Sequence, residues 1–288
     1  MIFSVVVPFL NEEKLIEKCV KSLLQQEFDQ QKYELIFIDN GSTDHSTDIV
    51  RNYHNITLLY EPQQDPYLAR NRGIRAAQGQ FIVFTDADCV ADCHWLAELW
   101  HTLEESNADI VLGRLLYPTP ASIFLQCYEH YYHTKIIYLL YHELRQCYYG
   151  HAGNMVVRAS IFDEVGLFAS MPVVGDTEII HRFMQHNPDI KISYAQHAKI
   201  AHAEVTHFRY CLHKLFQYGQ YSETYNKMST YRPLHFKEKL HVFKVCFTEQ
   251  HYGPGLMLIS GGTLFVGWLS FEAGRWLRWL QTHILSQV

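Results

Sequence analysis

The first hundred residues alternate between short apolar runs and stretches with helical spacing. The runs FSVVVPF, YELIFID, ITLLYE and QFIVFTDAD have the composition of buried strands. Between them, NEEKLIEKCVKSLLQQ, STDIVRNY and PYLARNRGIRAAQG carry caps or apolar stripes typical of helices. This alternation predicts an α/β fold, in which helices cover both faces of a mostly parallel sheet.

Polar residues collect where three of these apolar runs end. The clusters are Pro8 to Glu12, Asp39 to Asp44 and Asp86 to Asp88. In open parallel sheets, ligands bind beyond the carboxyl ends of the strands. The sequence therefore predicts a binding site at this edge of the sheet.

The composition changes near residue 100 and again after Tyr231. Aromatic residues crowd into CYEHYYHTKIIYLLYHE, YYGHAGNMVVR contains a further predicted strand, and VVGDTEIIHRFMQHN predicts another helix. We therefore divide the chain into regions 1–100, 101–230 and 231–288, of which the first two are expected to form one domain.

Composition and charge narrow the class of protein. With 48% hydrophobic and 19% charged residues the chain is globular, and a formal net charge of -6 argues against nucleic acid as a partner. The seven cysteines are scattered without zinc-ligand spacing and are expected to be reduced, which suggests the cytosol. No signal peptide is expected, because MIFSVVVPF lacks a basic start and a long apolar run.

Asp86 and Asp88 follow a predicted buried strand, with one alanine between them. Unpaired buried carboxylates are costly, so a positive charge is expected beside them. In an extended strand, residues two apart point to the same side, where both carboxylates would reach one cation. Magnesium and manganese prefer carboxylate and phosphate oxygens, so the spacing predicts a Mg²⁺ or Mn²⁺ site.

Four stretches of the chain stand in a specific order. They are SVVVPFLNEE, ELIFIDNGSTDHS, ARNRGIRAAQGQFIVFTDADC and GNMVVRASIFDEVGLFASMPVVGDTEIIHRF. Together they resemble the successive motifs of glycosyltransferase family 2, between Met1 and Gly219. The resemblance implies a GT-A fold, a nucleotide-diphosphate sugar donor, a divalent metal and inversion at the anomeric carbon.

The resemblance also implies a donor site at the carboxyl edge of the sheet. The donor-binding residues would be Pro8, Leu10, Asn11, Glu12, Asp39, Arg70, Asn71 and Asp86, and the metal ligands Asp86, Asp88 and His202. Asp39 would accept the imide N–H of uracil or thymine, which suits a UDP- or dTDP-linked sugar. The family often has a stacking tyrosine where this chain has Leu10.

Other interpretations of these residues stay open. Asn11 and Asp39 are also common turn formers and helix caps. Arg70 would suit an ordinary solvated helix face. His202 could complete the metal shell, contact the diphosphate or bond the backbone at a strand end, and His207 is a rival.

Inverting transfer needs a general base, because an acceptor hydroxyl is a poor nucleophile until its proton is taken. The family places that base in an E-D-x-[DE] step, which Gly175, Asp176, Thr177 and Glu178 match here. Asp176 falls on the base position, and Gly175 replaces the usual glutamate. Asp176 is also a suitable helix N-cap, and both roles could hold together.

The same motifs imply an acceptor side. The residues assigned to it are Gly153, Asn154, Thr177 and Glu178. Trp95 could pack beside the donor sugar or belong to the core.

The stretch GPGLMLISGGTLFVGWLSF contains no charged residue and is nearly long enough for a membrane span. Tryptophans and arginines resembling an interfacial belt overlap and follow it, namely Trp268, Arg275, Trp276, Arg278 and Trp279. We expect this tail to meet the cytoplasmic face of a membrane, where a lipid-linked acceptor or a surface polysaccharide precursor would be available. A buried helix packed on the catalytic domain is the alternative.

The sequence and the resemblance together predict a metal-dependent inverting glycosyltransferase. Region 1–100 would bind the nucleotide sugar, 101–230 the acceptor, and 231–288 would be a helical tail. Two other classes stay open. A nucleotidyltransferase would normally carry a glycine- and lysine-rich phosphate loop, which PFLNEEK is not. A non-catalytic homologue that binds nucleotide sugar would fit the missing glutamate at Gly175.

Overall fold

The computed structural model describes residues 1–118, 121–171, 173–228 and 230–283. Within these ranges the strands are β1 (Phe3–Phe9), β2 (Tyr33–Asp39), β3 (Ile56–Tyr60), β4 (Phe81–Phe84), β5 (Cys89–Ala91), β6 (Ile110–Leu116), β7 (Met155–Arg158) and β8 (Ile192–His202). The helices are α1 (Ile16–Leu24), α2 (Ser46–Arg51), α3 (Pro66–Ala76), α4 (Trp95–Ser106), α5 (Ile123–Tyr141), α6 (Ala159–Val165), α7 (Gly175–His186), α8 (Phe208–Met228), α9 (Phe236–Glu249) and α10 (Pro254–His283).

The chain divides into two compact units. The first comprises Met1–Leu116 and Tyr149–Glu204, and holds the sheet with α1 to α4, α6 and α7. The second comprises Tyr117–Tyr148 and Val205–Val288, and holds α5 and α8 to α10. The division of donor, acceptor and tail roles among the three sequence regions stays a prediction, and residues 284–288 of the tail lie outside the described ranges.

The described strands form one sheet in the order β3-β2-β1-β4-β7-β6-β8-β5. β1 pairs in parallel with β2 and β4, and β2 pairs in parallel with β3, which confirms the parallel half predicted from the alternating pattern. Beyond β4 the sheet is mixed, because β7 runs antiparallel to both β4 and β6, and β5 antiparallel to β8. All seven residues of β1 are buried, as expected of a strand covered on both faces.

Two apolar layers hold the sheet between its helices. Successive residues of a strand point to opposite faces, so Val5 and Val6 of β1 enter different clusters. One cluster includes Trp95 of α4 with residues of α1. The other includes Ala69 of α3 and Phe183 of α7.

Two element boundaries differ from those the sequence pattern suggested. α1 begins at Ile16 rather than near Asn11, because Asn11 has a φ of 57° and the Glu12 N–H donates to Ser46 Oγ at 2.7 Å. β4 ends at Phe84, and the chain then turns, with the Cys89 N–H donating to the Asp86 carbonyl at 3.1 Å. Asp86 and Asp88 therefore belong to a turn and not to an extended strand.

Candidate active site at the carboxyl edge of the sheet

Parallel pairing brings the strand ends to one edge, as predicted. Phe9 at the end of β1 lies opposite Asp39 at the end of β2. β4 runs on the other side of β1, with Val6 opposite Phe84. The segments that follow β1, β2 and β4 therefore leave the sheet in the same direction.

Asp39 anchors the loop after β2. Its Oδ1 accepts from the Ser42 N–H at 2.8 Å, and its Oδ2 accepts from Thr47 Oγ1 at 2.6 Å. Asn11 connects this loop to the one after β1, since its Oδ1 accepts from the Thr43 N–H at 2.8 Å. These bonds agree with the interpretation of Asn11 and Asp39 as turn-forming residues. Each Asp39 oxygen still has a second lone pair that could accept a hydrogen bond from a ligand.

The two apolar residues predicted to line the base pocket differ in exposure. Pro8 is buried within β1, whereas Leu10 is 36% exposed at its end. Leu10 therefore offers an apolar surface beside Asn11, where the family often has a tyrosine.

Arg70 of α3 forms an ion pair with Asp86. The guanidinium is buried, its Nη2 donates to Asp86 Oδ1, and the Tyr67 ring lies 5.4 Å from its Cζ. Burial alone would lower the pKa of Arg70, but the charge and hydrogen bond of Asp86, together with Tyr67 and Asp176, outweigh burial and raise that pKa. Because Arg70 is buried, the solvated-face interpretation fails for it, whereas Arg72 is exposed.

A compact group of potential metal ligands surrounds this carboxylate. Ligand atoms of Asp86, Asp88, Cys89 and His202 all lie within 4.8 Å of one another. His202 arrives through the pairing of β5 with β8, which sets it opposite Cys89, and its Nδ1 lies 3.2 Å from Asp88 Oδ2. His202 therefore lies beside the Asp86 and Asp88 carboxylates, as its predicted role as a metal ligand requires.

The charge balance of this group fits a divalent cation. Burial, with the Asp86 and Glu204 charges, raises the pKa of Asp88 to about 7. Burial, with the Asp88 and Glu204 charges, likewise raises the pKa of Glu12 to about 7. Burial raises the pKa of the Cys89 thiol well above its usual range, so this sulfur stays protonated. Crowded carboxylates and an imidazole are hard or borderline ligands, which suit Mn²⁺ or Mg²⁺.

Glu204 is a residue that the sequence analysis did not single out. It is exposed, two positions after His202 in KIAHAEV, and its charge acts on both Asp88 and Glu12. Its position two residues after His202, just beyond the end of β8, was the available signal.

Asp176 lies in the first turn of α7. Its Oδ1 accepts from the Thr177 N–H at 2.9 Å and its Oδ2 from the Ala152 N–H at 3.1 Å. The N-cap interpretation is wrong, because Val174 occupies the cap position with a φ of 63°. Burial raises the pKa of Asp176 to about 6, although these N–H bonds and the Arg70 charge oppose the increase.

A tight loop before β7 touches both carboxylates. A Cβ on Gly150 would lie 2.4 Å from the Asp176 carbonyl oxygen, and one on Gly153 would lie 3.2 Å from Asp86 Oδ2. Ala152, between them, donates its N–H to Asp176. Asp86 and Asp176 therefore border the same loop, which explains why small residues stand there.

Tyr67 occupies the space beside Gly175. A Cβ on Gly175 would lie 2.8 Å from Tyr67 Cζ, which is closer than atoms can pack. The same ring lies against Arg70 and is 5.5 Å from the Phe168 ring. The ring of Tyr67 from α3 thus occupies the space that a side chain at position 175 would enter.

The buried side chain of Asn154 forms hydrogen bonds with three other segments of the chain. Its side chain is 0% exposed, accepts from Trp95 Nε1 at 2.9 Å, and donates to the carbonyls of Arg114 and Ala198 at 3.0 and 2.9 Å. As placed, the Asn154 amide is enclosed by these partners, and its assignment to the acceptor side stays a prediction. Trp95 is likewise a core residue.

The polar groups of Asn71 and Glu178 also form hydrogen bonds within the protein. Asn71 Nδ2 donates to the Phe168 carbonyl at 2.8 Å, and its Oδ1 accepts from the Phe168 N–H at 2.9 Å. Glu178 is buried and accepts two bonds from Arg182, each 2.9 Å long. As placed, both side chains hold neighbouring segments of the chain in position through these bonds.

Thr177 contributes to the same framework, since its Oγ1 accepts from the Gly150 N–H at 3.1 Å. This bond ties the first turn of α7 to the loop before β7. Gly153 remains the member of the predicted acceptor set that lies directly against Asp86.

Comparison with known proteins identifies the family. Residues 4–166, more than half of the chain, match the family model Glycosyl transferase family 2. The chain belongs to glycosyltransferase family 2. Among curated relatives of this family-2 protein, Glycosyltransferase AglE of Haloferax volcanii is 35% identical over 41% of this chain. The poly(ribitol-phosphate) beta-N-acetylglucosaminyltransferase TarS of Staphylococcus aureus is 32% identical over 40% of it.

Solved structures of glycosyltransferases show the same GT-A-like fold. A S. aureus TarS structure in complex with UDP-GlcNAc matches with a TM-score of 0.53 and 22% identity, over 67% of this chain and 56% of that one. The mannosyltransferase PcManGT from Pyrobaculum calidifontis, in complex with GDP-Man and Mn²⁺, matches with a TM-score of 0.61 and 17% identity, over 99% and 80%. The alignments span only 40% of AglE and 21% of TarS, so the chain covers less than half of these curated relatives.

Proposed function

We propose that this protein is a metal-dependent inverting glycosyltransferase that moves a sugar from a UDP- or dTDP-linked donor to an acceptor hydroxyl. One observation carries the proposal. The loop from Gly150 to Gly153 borders Asp86, in the candidate metal group, and Asp176, the candidate base. A donor held at the first and an acceptor held at the second would meet beside one loop, as transfer requires.

Asp39 would bind the base of the donor. The Ser42 and Thr47 bonds fix the orientation of its carboxylate, and a remaining lone pair accepts the imide N–H of a pyrimidine. Pro8, Leu10, Asn11 and Glu12 would line the same end of the pocket. Asn71 would act through the Phe168 backbone, while Arg70 holds Asp86 in place.

Asp86, Asp88 and His202 would hold Mn²⁺ or Mg²⁺. Such a cation, when bound, supplies charge that stabilises the departing diphosphate. The chain itself contributes the Arg70 guanidinium, a buried positive charge beside Asp86.

Asp176 would take the acceptor proton. As the acceptor oxygen forms its bond to the anomeric carbon, the bond from that carbon to the diphosphate breaks on the opposite face, and the configuration inverts. The two N–H bonds from Ala152 and Thr177 keep the Asp176 carboxylate oriented. Its remaining lone pairs can accept the proton.

The acceptor is proposed to be lipid-linked or a surface polysaccharide precursor, and the second unit to bring the enzyme to the cytoplasmic face of a membrane. α10 is long and apolar enough to cross a membrane, by length and composition only. The relatives named for poly(ribitol-phosphate) glycosylation motivate a polyol or sugar hydroxyl as the acceptor class.

The direct test measures turnover of a panel of nucleotide sugars with Mn²⁺, with Mg²⁺ and with EDTA. We expect one UDP- or dTDP-sugar to be hydrolysed or transferred with metal and not with EDTA. Tight binding of that donor without turnover on any acceptor would favour a non-catalytic homologue instead. Release of pyrophosphate from a nucleoside triphosphate would favour a nucleotidyltransferase.

Asp39 should make the site prefer uracil over cytosine. UDP offers an imide N–H, whereas the corresponding ring nitrogen of CDP is an acceptor and would face the carboxylate. By calorimetry, Asp39→Ala should weaken UDP binding by about 1.5–3 kcal/mol, as expected for a hydrogen bond to a charged group. Asp39→Asn is the matched control for the loop, because it can keep the Ser42 bond. Equal affinity of wild-type protein for UDP and CDP would contradict this role.

The value of kcat/KM for the acceptor should rise with pH through about 6 and then level off, because burial raises the pKa of Asp176 to about 6 and only the deprotonated carboxylate can act as a base. Saturating donor and metal keep the protonation of Glu12 and Asp88 from entering the measurement. The residual activity of Asp176→Asn should lack this limb. A profile that is flat between pH 5 and 7, or a limb that survives in the variant, would assign the proton transfer elsewhere.

A further inference from the structure

The outward face of α10 carries a stripe of exposed apolar side chains. Leu258, Phe265, Leu269 and Trp276 recur at heptad spacing, so they share one side of the helix, and all four are exposed. Trp279 is exposed on the neighbouring side. Such a continuous apolar surface marks an interaction site.

The opposite face of α10 is closed against α8 within the same unit. The buried residues of α10 are Ser260, Thr263, Gly267 and Gly274. A Cβ on Gly274 would lie 2.0 Å from the Phe216 carbonyl oxygen, and one on Gly219 of α8 would lie 2.0 Å from the Phe271 carbonyl oxygen. The two helix backbones are therefore in direct contact near the middle of both helices.

This contact decides how α10 can meet a bilayer. Ser270 Oγ donates to the Leu212 carbonyl at 2.8 Å, so the α8 residues around Lys214 lie alongside the central part of α10. If the uncharged segment 253–271 crossed the membrane, that stretch of α8, with His213 and Lys214, would lie beside its last turns, inside one half of the hydrocarbon layer. Charged and polar side chains are costly there, so a crossing is disfavoured.

We infer that α10 lies in the plane of a membrane surface, with α8 on its protein side. Phe265, Leu269 and Trp276 would enter the boundary between head groups and acyl chains, as in other interfacial helices. Arg275 is exposed beside Trp276 and pairs with Glu272, and this ion pair would lie among the lipid head groups. The inference rests on the membrane contact of the proposed function and assigns it one geometry.

The orientation can be tested by labelling both ends of α10 in the full-length chain. Single cysteines are placed by Gly253→Cys, where a side chain has open space, and by Gln281→Cys, with exposed Cys93 changed to serine. In inside-out membrane vesicles from the expression host, an impermeant thiol reagent should label both positions. Labelling of one position from each side would show a crossing and overturn the inference.

The lipid-binding face is tested with the purified full-length protein and vesicles of phosphatidylglycerol and phosphatidylcholine. We expect the protein to sediment with these vesicles. Phe265→Glu combined with Leu269→Glu should weaken vesicle binding by at least about tenfold, because two large apolar side chains no longer enter the interface. Tyr60→Glu, an exposed aromatic residue of β3, is the matched control and should bind vesicles like wild type.

Two outcomes would overturn the inference. One is equal vesicle binding by the double glutamate variant. The other is a lipid-free dimer, seen by light scattering, that the same two substitutions dissociate, because the face would then join two copies of the chain. UDP binding and donor hydrolysis without vesicles test the proposed function separately, and the double variant should retain both.

Discussion

Asp176→Asn should slow sugar transfer by roughly 10²–10⁴-fold, which is the usual contribution of a general base. Donor affinity should stay within about threefold of wild type, because the residues proposed to hold the nucleotide are Asp39 and the metal group. The measurement is the turnover number under saturating donor, metal and acceptor, with UDP affinity determined in parallel by calorimetry. A variant that transfers sugar at nearly the wild-type rate would exclude Asp176 as the base.

Asp176→Ala serves as the control for the structural part of the effect. The carboxylate accepts from two N–H groups, so alanine leaves both Ala152 and Thr177 without this partner, whereas asparagine can still accept from one. We expect alanine to lose activity to a similar extent and to destabilise the fold by about 1–3 kcal/mol, the cost of unsatisfied buried donors. Glu178 is a poor substitute base, because Arg182 binds both of its oxygens.

Asp88→Asn should abolish the metal-dependent tightening of donor binding. Even indirect partners of metal ligands change metal affinity by about 10–100-fold, so removing a ligand should cost at least ~100-fold. The measurement is UDP affinity with and without Mn²⁺, with Asp48→Asn, an exposed carboxylate on α2, as the control for the charge change. Unchanged Mn²⁺ dependence in Asp88→Asn would make the group around Asp86 structural.

Stability should respond to the same substitution in a definite direction. The pKa of Asp88 is raised to about 7, so its contribution to folding is present at low pH and is lost as the pH rises through about 7. Asparagine stays neutral and avoids that loss. Without metal, the variant should therefore be at least as stable as wild type above pH 7, by thermal unfolding.

The strands and the position of the site could be predicted because both follow from local rules. A strand covered on both faces needs apolar residues at every position, and β1 meets this requirement throughout. Parallel pairing then places the end of β2, with Asp39, at the same edge as the ends of β1 and β4. No knowledge of distant contacts is required for either step.

The roles of individual polar residues depend on partners far away in the sequence. Asn71 bonds Phe168, which is 97 residues later, and Asn154 bonds Trp95, 59 residues earlier. The neighbouring residues in the sequence do not distinguish such an amide from one that faces a ligand. The conformation at Asp86 and Asp88 was equally hard to predict. The two residues lie in a turn, and the periodicity of a strand does not predict a turn.

The contact between Tyr67 and Gly175 makes two distant positions evolutionarily dependent on each other. A glutamate at position 175 would collide with the ring, so it requires the ring to move away or residue 67 to become smaller. Either change would also withdraw the ring from Arg70. Descendants of this chain are therefore expected to keep the tyrosine and the glycine together or to replace them as a pair, and substitutions tried one at a time should underestimate how much variation the site can tolerate.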